Sequence, residues 1–453
     1  MTKQQAIENA LIEFINEREN THSTDLPGIM KALNIPGMSF VFFEEGEIVA
    51  SGTYGLINAH DTRQIKPDTL FQAASNSKSI AALACLRMVE SGLLDLDADV
   101  NDYLTSWKVP PVEDRQPVIT LRQLLTHTAA TTVHGFWGYR ASDAIPTVNQ
   151  ILSGDAPSNS PAVVLDGLPS HSGRYSGGGT TIAQLVMMDV SGKSFPELAD
   201  EWVLKPLEMT DSGFMQPLPP EKYHQAAHGH LYTGDPMPER WNIHPELAAA
   251  GLWTTPTDMS KFARAIQSAK QGNHPVISQQ VVEWMLTPVF DAGEVQHGSG
   301  VFLHEDEENL IFGHGGANIG YQCFYNAYVD GRAGFSVMTN SDRGGIFCNA
   351  FREYHIKAYS KQKSEESPEI DLTELVGTYK NDEHEVKITL EGETLHLHWN
   401  QLPPLKLSAK SKDELSIIAL KSTLTIERDD NDTLSSILIK QSGHSQTLIP
   451  QNH

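Results

Sequence analysis

Two residues one helical turn apart, Ser75 and Lys78, have the types and the spacing that acyl transfer requires. They lead into the apolar run of residues 80–92, which predicts a helix that opens at the serine and ends at a glycine. A serine oxygen at a helix start lies near backbone N–H groups and the positive end of the helix dipole, which favour an alkoxide or oxyanion. Lys78 falls on the same face, where burial lowers the pKa of a lysine towards that of a base.

The Ser-x-x-Lys pattern alone is weak, because it occurs again at residues 360–363. Two later motifs favour Ser75 as the nucleophile, namely Tyr175-Ser176-Gly177 and His314-Gly315-Gly316-Ala317. A tyrosine has an ordinary pKa of about 10 and acts as a base only where nearby cationic groups stabilise its anion.

Taken in this order, the three motifs resemble those of the β-lactamase-related serine hydrolases. That family includes class C β-lactamases, low-molecular-weight penicillin-binding proteins, D-aminopeptidases and family VIII esterases, and it carries Ser-x-x-Lys, then Tyr-x-Asn, then Lys-Thr-Gly or His-x-Gly. The stretches at residues 120–128, 203–210 and 250–259 also resemble family signatures, so the resemblance spans residues 36–340.

The resemblance implies a role for each motif. Ser75 would be acylated, Lys78 would help to deprotonate it, and Tyr175 would pass the proton to the leaving group. The oxyanion hole would consist of the backbone N–H groups of Ser75 and Ala317. His314 would lie near a carboxylate of the substrate or near the Tyr175 hydroxyl.

Two positions depart from the pattern of the family. Gly177 stands where most relatives have an asparagine that binds the amide side chain of the substrate, so one polar contact is missing. His314 replaces a charged lysine with a group of ordinary pKa about 6.5, which holds a carboxylate less firmly at neutral pH. The residues assigned to the oxyanion hole and to substrate binding are Ser75, Gly177, His314, Gly316 and Ala317.

The implied activity is that of a serine hydrolase without cofactor or metal. It would form an acyl-enzyme on Ser75 from a small ester or a D-amino-acid peptide amide and release the acyl group with water. Two alternatives stay open: a penicillin-binding or sensor protein that is acylated without turnover, and an acyltransferase or peptide cyclase that uses an amine acceptor.

Three aromatic residues lie outside the motifs. Phe136, Trp137 and Tyr139 either line a substrate pocket or pack in the core.

The elements that position these residues predict an α+β domain. Residues 38–54 read as a hairpin that turns at Glu45-Gly46, and residues 321–339 form a second hairpin before a helix at residues 347–359. Strands at both ends of a long helical middle indicate a sheet assembled from distant segments. With the resemblance, this becomes a β-lactamase or penicillin-binding-protein-like domain over residues 1–360, an antiparallel sheet flanked by helices.

A second domain follows a polar segment. Residues 361–370 lack apolar periodicity and read as a linker. From residue 371 to residue 453, apolar and polar residues alternate in short runs, which predicts a small all-β domain, a sandwich or a barrel, lipocalin-like in the second case. We expect it to border the active-site cleft without supplying catalytic groups.

Composition limits the partners. The chain has 33 Lys and Arg residues against 57 Asp and Glu residues, a formal charge of −24, which disfavours nucleic acid and anionic membranes. Neutral or cationic small-molecule substrates stay open, as does a homo-oligomer. The polar first residues lack the apolar core of a secretory signal, and no apolar run is long enough to span a membrane, so we expect a cytoplasmic protein. The mature form of an exported protein would have the same sequence features and stays open.

Histidine and cysteine patterns call for no metal or disulfide. His224, His228 and His230 cluster without an acidic or cysteine companion at metal-ligand spacing, so we expect ordinary structural histidines. The three cysteines are odd in number and lie in apolar surroundings, which predicts reduced core thiols.

Overall fold

The structure is a computed structural model with two compact units, Met1–Ser360 and Lys361–His453. In the first unit it describes residues 2–112, 115–171, 173–291, 296–306 and 309–360. In the second it describes residues 372–381, 384–392, 394–399, 404–411, 413–417, 422–429, 433–441 and 444–451. The predicted linker at residues 361–370 lies outside the described residues.

The first unit combines a mostly helical region with one large sheet. Its α-helices are α1 (Lys3–Glu19), α2 (Leu26–Ala32), α3 (Ser77–Glu90), α4 (Val100–Tyr103), α5 (Leu121–Leu125), α6 (Val148–Ser153), α7 (Gly177–Ser191), α8 (Phe195–Ala199), α9 (Leu247–Ala250), α10 (Pro256–Lys270), α11 (Gln279–Leu286) and α12 (Gly345–Tyr359). Short 3-10 turns span Ala74–Asn76 and Pro220–Lys222, and a π-helical turn spans Asp200–Leu204.

An eight-stranded antiparallel sheet forms the frame of this unit, in the order β2-β1-β10-β9-β8-β7-β6-β5. A separate pair, β3 with β4, lies beside the 3-10 turn Ala74–Asn76. The strands are β1 (Gly37–Glu44), β2 (Glu47–Gly55), β3 (Phe71–Gln72), β4 (Trp253–Thr254), β5 (Phe290–Asp291), β6 (Gln296–His297), β7 (Phe302–Asp306), β8 (Asn309–Asn318), β9 (Tyr321–Tyr328) and β10 (Ala333–Thr339).

Both predicted hairpins form, and the first and last parts of the chain meet in the sheet. Glu45 and Gly46 join β1 to β2 with positive φ angles of 48° and 82°, the backbone that a tight hairpin turn requires. β1 also pairs with β10, Phe40 opposite Val337, which joins segments almost 300 residues apart. The α+β prediction, with a sheet built from distant segments, is confirmed.

The sheet is buried on both faces. Phe40 and Phe42 of β1 pack in a cluster with residues of α1, α2 and α12, whereas Val41 and Phe43 pack in a larger cluster with residues of α3 and α10. Because successive strand residues point to opposite faces, β1 is an almost continuous apolar run. The larger cluster fixes α3, which carries Lys78.

The second unit is a closed antiparallel barrel of eight strands. Its interior is filled by aliphatic side chains such as Ile388, Leu397 and Ile437, as expected for a barrel of this strand number. A 3-10 turn at Leu372–Leu375 precedes it. The strands are β11 (Gly377–Lys380), β12 (Glu385–Glu391), β13 (Thr394–Trp399), β14 (Leu405–Ser411), β15 (Glu414–Ile417), β16 (Ser422–Arg428), β17 (Leu434–Gln441) and β18 (His444–Pro450).

Of the two all-β forms expected for this segment, the chain adopts the barrel. Among the described residues, no helix has the length and apolar character needed to cross a membrane.

Candidate active site

Ser75 lies in a strained turn between β3 and α3. It is the middle residue of the 3-10 turn Ala74–Asn76, and Ala74 has a φ of 48°, a left-handed value that costs a non-glycine residue about 1 kcal/mol. The sequence predicted that Ser75 caps or opens α3. The structure places it just before the helix, whose N-cap is Asn76 and has no side-chain cap bond. The Ser75 hydroxyl is therefore not engaged in capping and is half-buried at the pocket.

The other two candidate serines, Ser77 inside the motif and Ser360 at its repeat, use their hydroxyls in other hydrogen bonds. The Ser77 side chain is completely buried, donates to the Ala74 carbonyl oxygen at 2.5 Å and accepts from the Leu252 backbone N–H at 3.0 Å. Ser360 ends α12 and donates to the Asp306 carboxylate at 3.2 Å. Of these three serines, Ser75 is the one whose hydroxyl is hydrogen-bonded to the lysine of the motif.

Lys78 is a buried lysine aimed at the nucleophile. Its Nζ lies 3.1 Å from Ser75 Oγ and 2.8 Å from the carbonyl oxygen of Ala249 in α9, and the residue is 3% exposed. Burial lowers the pKa of its amine to about 7, because the charged form loses hydration. A substantial fraction of this amine is therefore neutral at neutral pH and able to accept a proton.

Tyr175 stands at the start of α7, with its ring 4.8 Å from Lys78 Nζ. Burial raises the pKa of the Tyr175 hydroxyl above its ordinary value, and the neighbouring Ser75 side chain lowers it only in part. The cation expected to stabilise a Tyr175 anion is Lys78, but its lowered pKa leaves this amine only partly charged at neutral pH. The phenol therefore stays protonated at neutral pH, whereas Lys78 is suited to accepting a proton.

Histidines surround the Tyr175 ring. The ring centroids of His127, His134 and His314 lie 4.4, 4.9 and 5.8 Å from that of Tyr175, and His297 lies 6.0 Å from His127. His127 Nδ1 accepts the Ser176 backbone N–H at 3.2 Å, and burial followed by the charge of Lys78 holds the pKa of His127 well below its ordinary value. Burial also lowers the pKa of His297.

His314 is neutral at neutral pH. From the sequence we expected a group of ordinary pKa that would be partly charged there. Its Nδ1 lies 2.6 Å from the Gly315 carbonyl oxygen, which can only accept, so Nδ1 carries the hydrogen and Nε2 is an acceptor. Burial, and then the charge of Lys78, lowers the pKa of His314 to about 3. The position of the family's lysine therefore supplies no positive charge at neutral pH.

The last part of β8 approaches the 3-10 turn that carries Ser75. β7 pairs with β8 only as far as Gly313, so the segment from His314 to Asn318 pairs with β9 alone. A Cβ on Gly316 would lie 2.2 Å from the Ala73 carbonyl oxygen, so only glycine permits this approach. Gly316 thereby brings β8 against the segment that leads into the turn of Ser75, and Ala317 is the next residue of the strand.

These residues line one pocket of about 630 Å³. Ser75, Lys78, Tyr175, His314, Gly316 and Ala317, all named from the sequence, contribute to it. Gly177 does not appear in its lining, although it begins the helix that follows Tyr175. Of the three aromatic residues left open, Phe136 lines the pocket, Tyr139 is 3% exposed in the core, and Trp137 is 73% exposed.

Several pocket residues were not identified from the sequence. Ala249 receives a hydrogen bond from Lys78, and the Phe302 ring stacks on that of Tyr175, yet no motif marks either residue. His297, which packs on Phe302 and His127 beside the pocket, was not identified either. Cys323 and Cys348, expected only as core thiols, are buried and free, and both also line this pocket. For His127 the only signal was its place in a stretch that resembles the family.

The His224 cluster has ordinary roles. His228 Nδ1 bonds the Asn58 side chain at 2.8 Å, and His230 Nε2 accepts the Ala59 backbone N–H at 3.0 Å. Throughout the part of the chain that the structure describes, no group of His, Cys, Asp and Glu side chains is arranged to hold a metal ion.

Several known proteins are similar to this chain in sequence. The Beta-lactamase family model matches residues 25–356. Protein flp of Staphylococcus aureus (strain N315) is 24% identical over 315 residues, 68% of this chain and 60% of its own length. Esterase EstB of Burkholderia gladioli is 28% identical over 220 residues, 47% of this chain and 54% of its own length. The chain thus spans between half and two thirds of these relatives.

A solved structure resembles the whole chain in fold. The octameric penicillin-binding protein homologue from Pyrococcus abyssi superposes with a TM-score of 0.63 at 20% identity and covers 98% of both chains.

Proposed function

The chain belongs to the β-lactamase family, and from this premise we propose that it is a serine hydrolase acylated on Ser75. Its substrate is a small ester or a D-amino-acid peptide amide, and water releases the acyl group. One observation carries the proposal: Lys78 Nζ lies 3.1 Å from Ser75 Oγ, with a pKa lowered to about 7. A neutral amine at that distance is a general base for the serine hydroxyl.

In the acylation step, Ser75 Oγ attacks the substrate carbonyl carbon while its proton passes to Lys78. The backbone N–H groups of Ser75 and Ala317 stabilise the resulting oxyanion, and the Gly316 approach to Ala73 supports this placement. The Tyr175 phenol donates its proton to the leaving oxygen or nitrogen and is reprotonated by the Lys78 ammonium. The bond to the leaving group then breaks.

In the second step, water attacks the acyl-enzyme. The Lys78 amine accepts a proton from the attacking water, the Tyr175 phenol donates its proton to Ser75 Oγ as the acyl–oxygen bond to Ser75 breaks, and the Lys78 ammonium reprotonates Tyr175. This step distinguishes a hydrolase from a sensor protein that remains acylated, and pre-steady-state burst kinetics report it directly.

Labelling of the nucleophile tests the proposal. A fluorophosphonate should add once to the intact protein, and peptide mapping should place the adduct on Ser75. Ser75→Ala should abolish both labelling and ester turnover, since alanine fits the same space without a nucleophile. Ser77→Ala is the matched control, because that hydroxyl is spent on the Ala74 carbonyl oxygen.

An adduct on Ser77 or Ser360, or turnover that survives in Ser75→Ala, would overturn the assignment. Labelling of Ser75 by substrate without release of product would instead favour the sensor alternative.

A further inference from the structure

The loop that leads to Phe136 is fastened to the first turn of α7. The backbone N–H groups of Gly177 and Gly178 donate to the carbonyl oxygens of His134 and Val133, each at 3.0 Å, and Ser176 Oγ donates to that of Thr132 at 2.7 Å. N–H groups that open a helix have no partner within it, and here the loop supplies their acceptors. The loop is therefore fixed on the helix that follows Tyr175.

Glycines allow this close approach. A Cβ on Gly178 would lie 2.8 Å from the Thr132 carbonyl oxygen, and a Cβ on Gly177 would lie 3.0 Å from Cε2 of Phe136 and 3.2 Å from the His134 carbonyl oxygen. The Phe136 ring thus covers the face of Gly177 from which a side chain would project. In the resembling family that side chain is the asparagine that binds the amide of the substrate.

We propose that Phe136, seated on Gly177, determines specificity by forming an apolar wall for the acyl group of the substrate. The proposal rests on the serine hydrolase function above and names its substrate class: esters or amides whose acyl group carries an apolar chain. An aromatic wall stabilises such a chain by removing its surface from water and offers no hydrogen bond to an acylamino group.

The neighbouring surface fits this assignment. Phe302 and Phe324 line the same pocket together with Phe136, so apolar rings occur at several points of its wall. His134 and Gly135, which precede Phe136, line it as well. Trp137, the next residue, is absent from the lining and largely exposed, so the aromatic contact is specific to one position of the loop.

The experiment measures Ser75 labelling rates with fluorophosphonates of short and long alkyl chain, and kcat/KM for p-nitrophenyl acetate and butyrate. In the parent, the rate for the long chain divided by the rate for the short chain should exceed one. In Phe136→Ala this ratio should fall by about 10-fold, because a hydrophobic pocket typically discriminates by at least that factor for each methylene. Phe136→Leu, which keeps an apolar side chain, should retain most of it. Trp137→Ala is the matched control and should leave the ratio within about two-fold.

A double-mutant cycle tests the seat on Gly177. Gly177→Ala should lower the ratio in the parent, because its Cβ displaces the ring, and should change it little in Phe136→Ala. An unchanged ratio in Phe136→Ala with Ser75 still labelled would overturn this inference alone. A drop that follows the alcohol of acetate esters instead of the acyl chain would also overturn it. A parent that shows no label on Ser75 would overturn the proposed function as well.

Discussion

Lys78, His127 and His314 are ionisable side chains held in or beside the pocket with pKa values below their ordinary ones. Burial is the first cause for each, and the charge of Lys78 adds to it for the two histidines. Because desolvation disfavours the charged form, the protein presents neutral nitrogen bases around Ser75 and Tyr175. These nitrogen groups are polar but carry little positive charge at neutral pH.

The pKa of Lys78 predicts the pH dependence of acylation. Its neutral amine is the active form, so kcat/KM should be lost as the pH falls through about 7 and reach a plateau above it. Lys78→Arg, which stays charged, should reduce kcat/KM by about 10² to 10⁴-fold. His314→Gln should keep the inflection, since the pKa of His314 is about 3. A flat profile between about pH 5.5 and 9 would contradict the role of Lys78.

The neutral His314 and the absent side chain at Gly177 predict weak use of β-lactams. A penicillin or cephalosporin presents a carboxylate and an acylamino group, and neither position supplies a charged or amide partner. A hydrogen bond contributes about 0.5–1.5 kcal/mol to a neutral partner and about 1.5–3 kcal/mol to a charged one, so losing both lowers efficiency by a few orders of magnitude. Turnover of p-nitrophenyl butyrate should exceed that of nitrocefin. Equal or higher kcat/KM on nitrocefin would contradict this, and strong activity on D-amino-acid amides with weak ester turnover would shift the substrate to peptides.

At the scale of elements, the candidate active site is formed where three segments meet: the turn before α3, the start of α7 and the part of β8 that pairs with β9 alone. Each is positioned by backbone contact. Gly316 packs on Ala73, and Gly177 and Gly178 donate to the loop carbonyl oxygens. These junctions fix the backbone positions of the site residues, and packing with supporting hydrogen bonds then fixes their side chains.

The junction of the loop with α7 can be tested by stability. In Gly178→Ala the new Cβ would lie 2.8 Å from the Thr132 carbonyl oxygen and 2.9 Å from Val163, so the loop must shift. Overpacking of this kind costs about 1–3 kcal/mol, and urea unfolding should show it. Gly135→Ala in the same loop is the control, since nothing lies within 4 Å of its Cβ. Equal unfolding midpoints for the two variants would contradict the tight junction.

At the scale of the whole molecule, the chain forms two units with separate hydrophobic cores. Every pocket residue named above, from Ser75 to Cys348, belongs to the first unit. The barrel has its own aliphatic interior and contributes none of these side chains. Whether it borders the cleft stays a prediction.

A chain that ends at Ser360 tests this division. It should fold and keep fluorophosphonate labelling of Ser75 within about three-fold of the full chain, because a unit with its own core folds independently. Altered substrate preference or altered oligomeric state, measured by light scattering, would report the contribution of the barrel. Complete loss of labelling in a truncated chain with native circular dichroism would contradict the separation.

The sequence by itself identified the motif residues. Ser75 and Lys78 follow from spacing along one helix, and the two hairpins follow from alternation and turn residues, because these signals are local. It also predicted the α+β first domain and an all-β tail.

Only the tertiary structure determined the pKa values and the contacts of these residues. The lowered pKa values of Lys78 and His314 and the ring of Phe136 over Gly177 depend on packing by segments far apart in the chain. Likewise, Ala249, His297 and Phe302 enter the site through packing, for which no local pattern exists. Desolvation and close approach are set by the neighbours of a residue in space, whereas motif spacing reports only its neighbours along the chain.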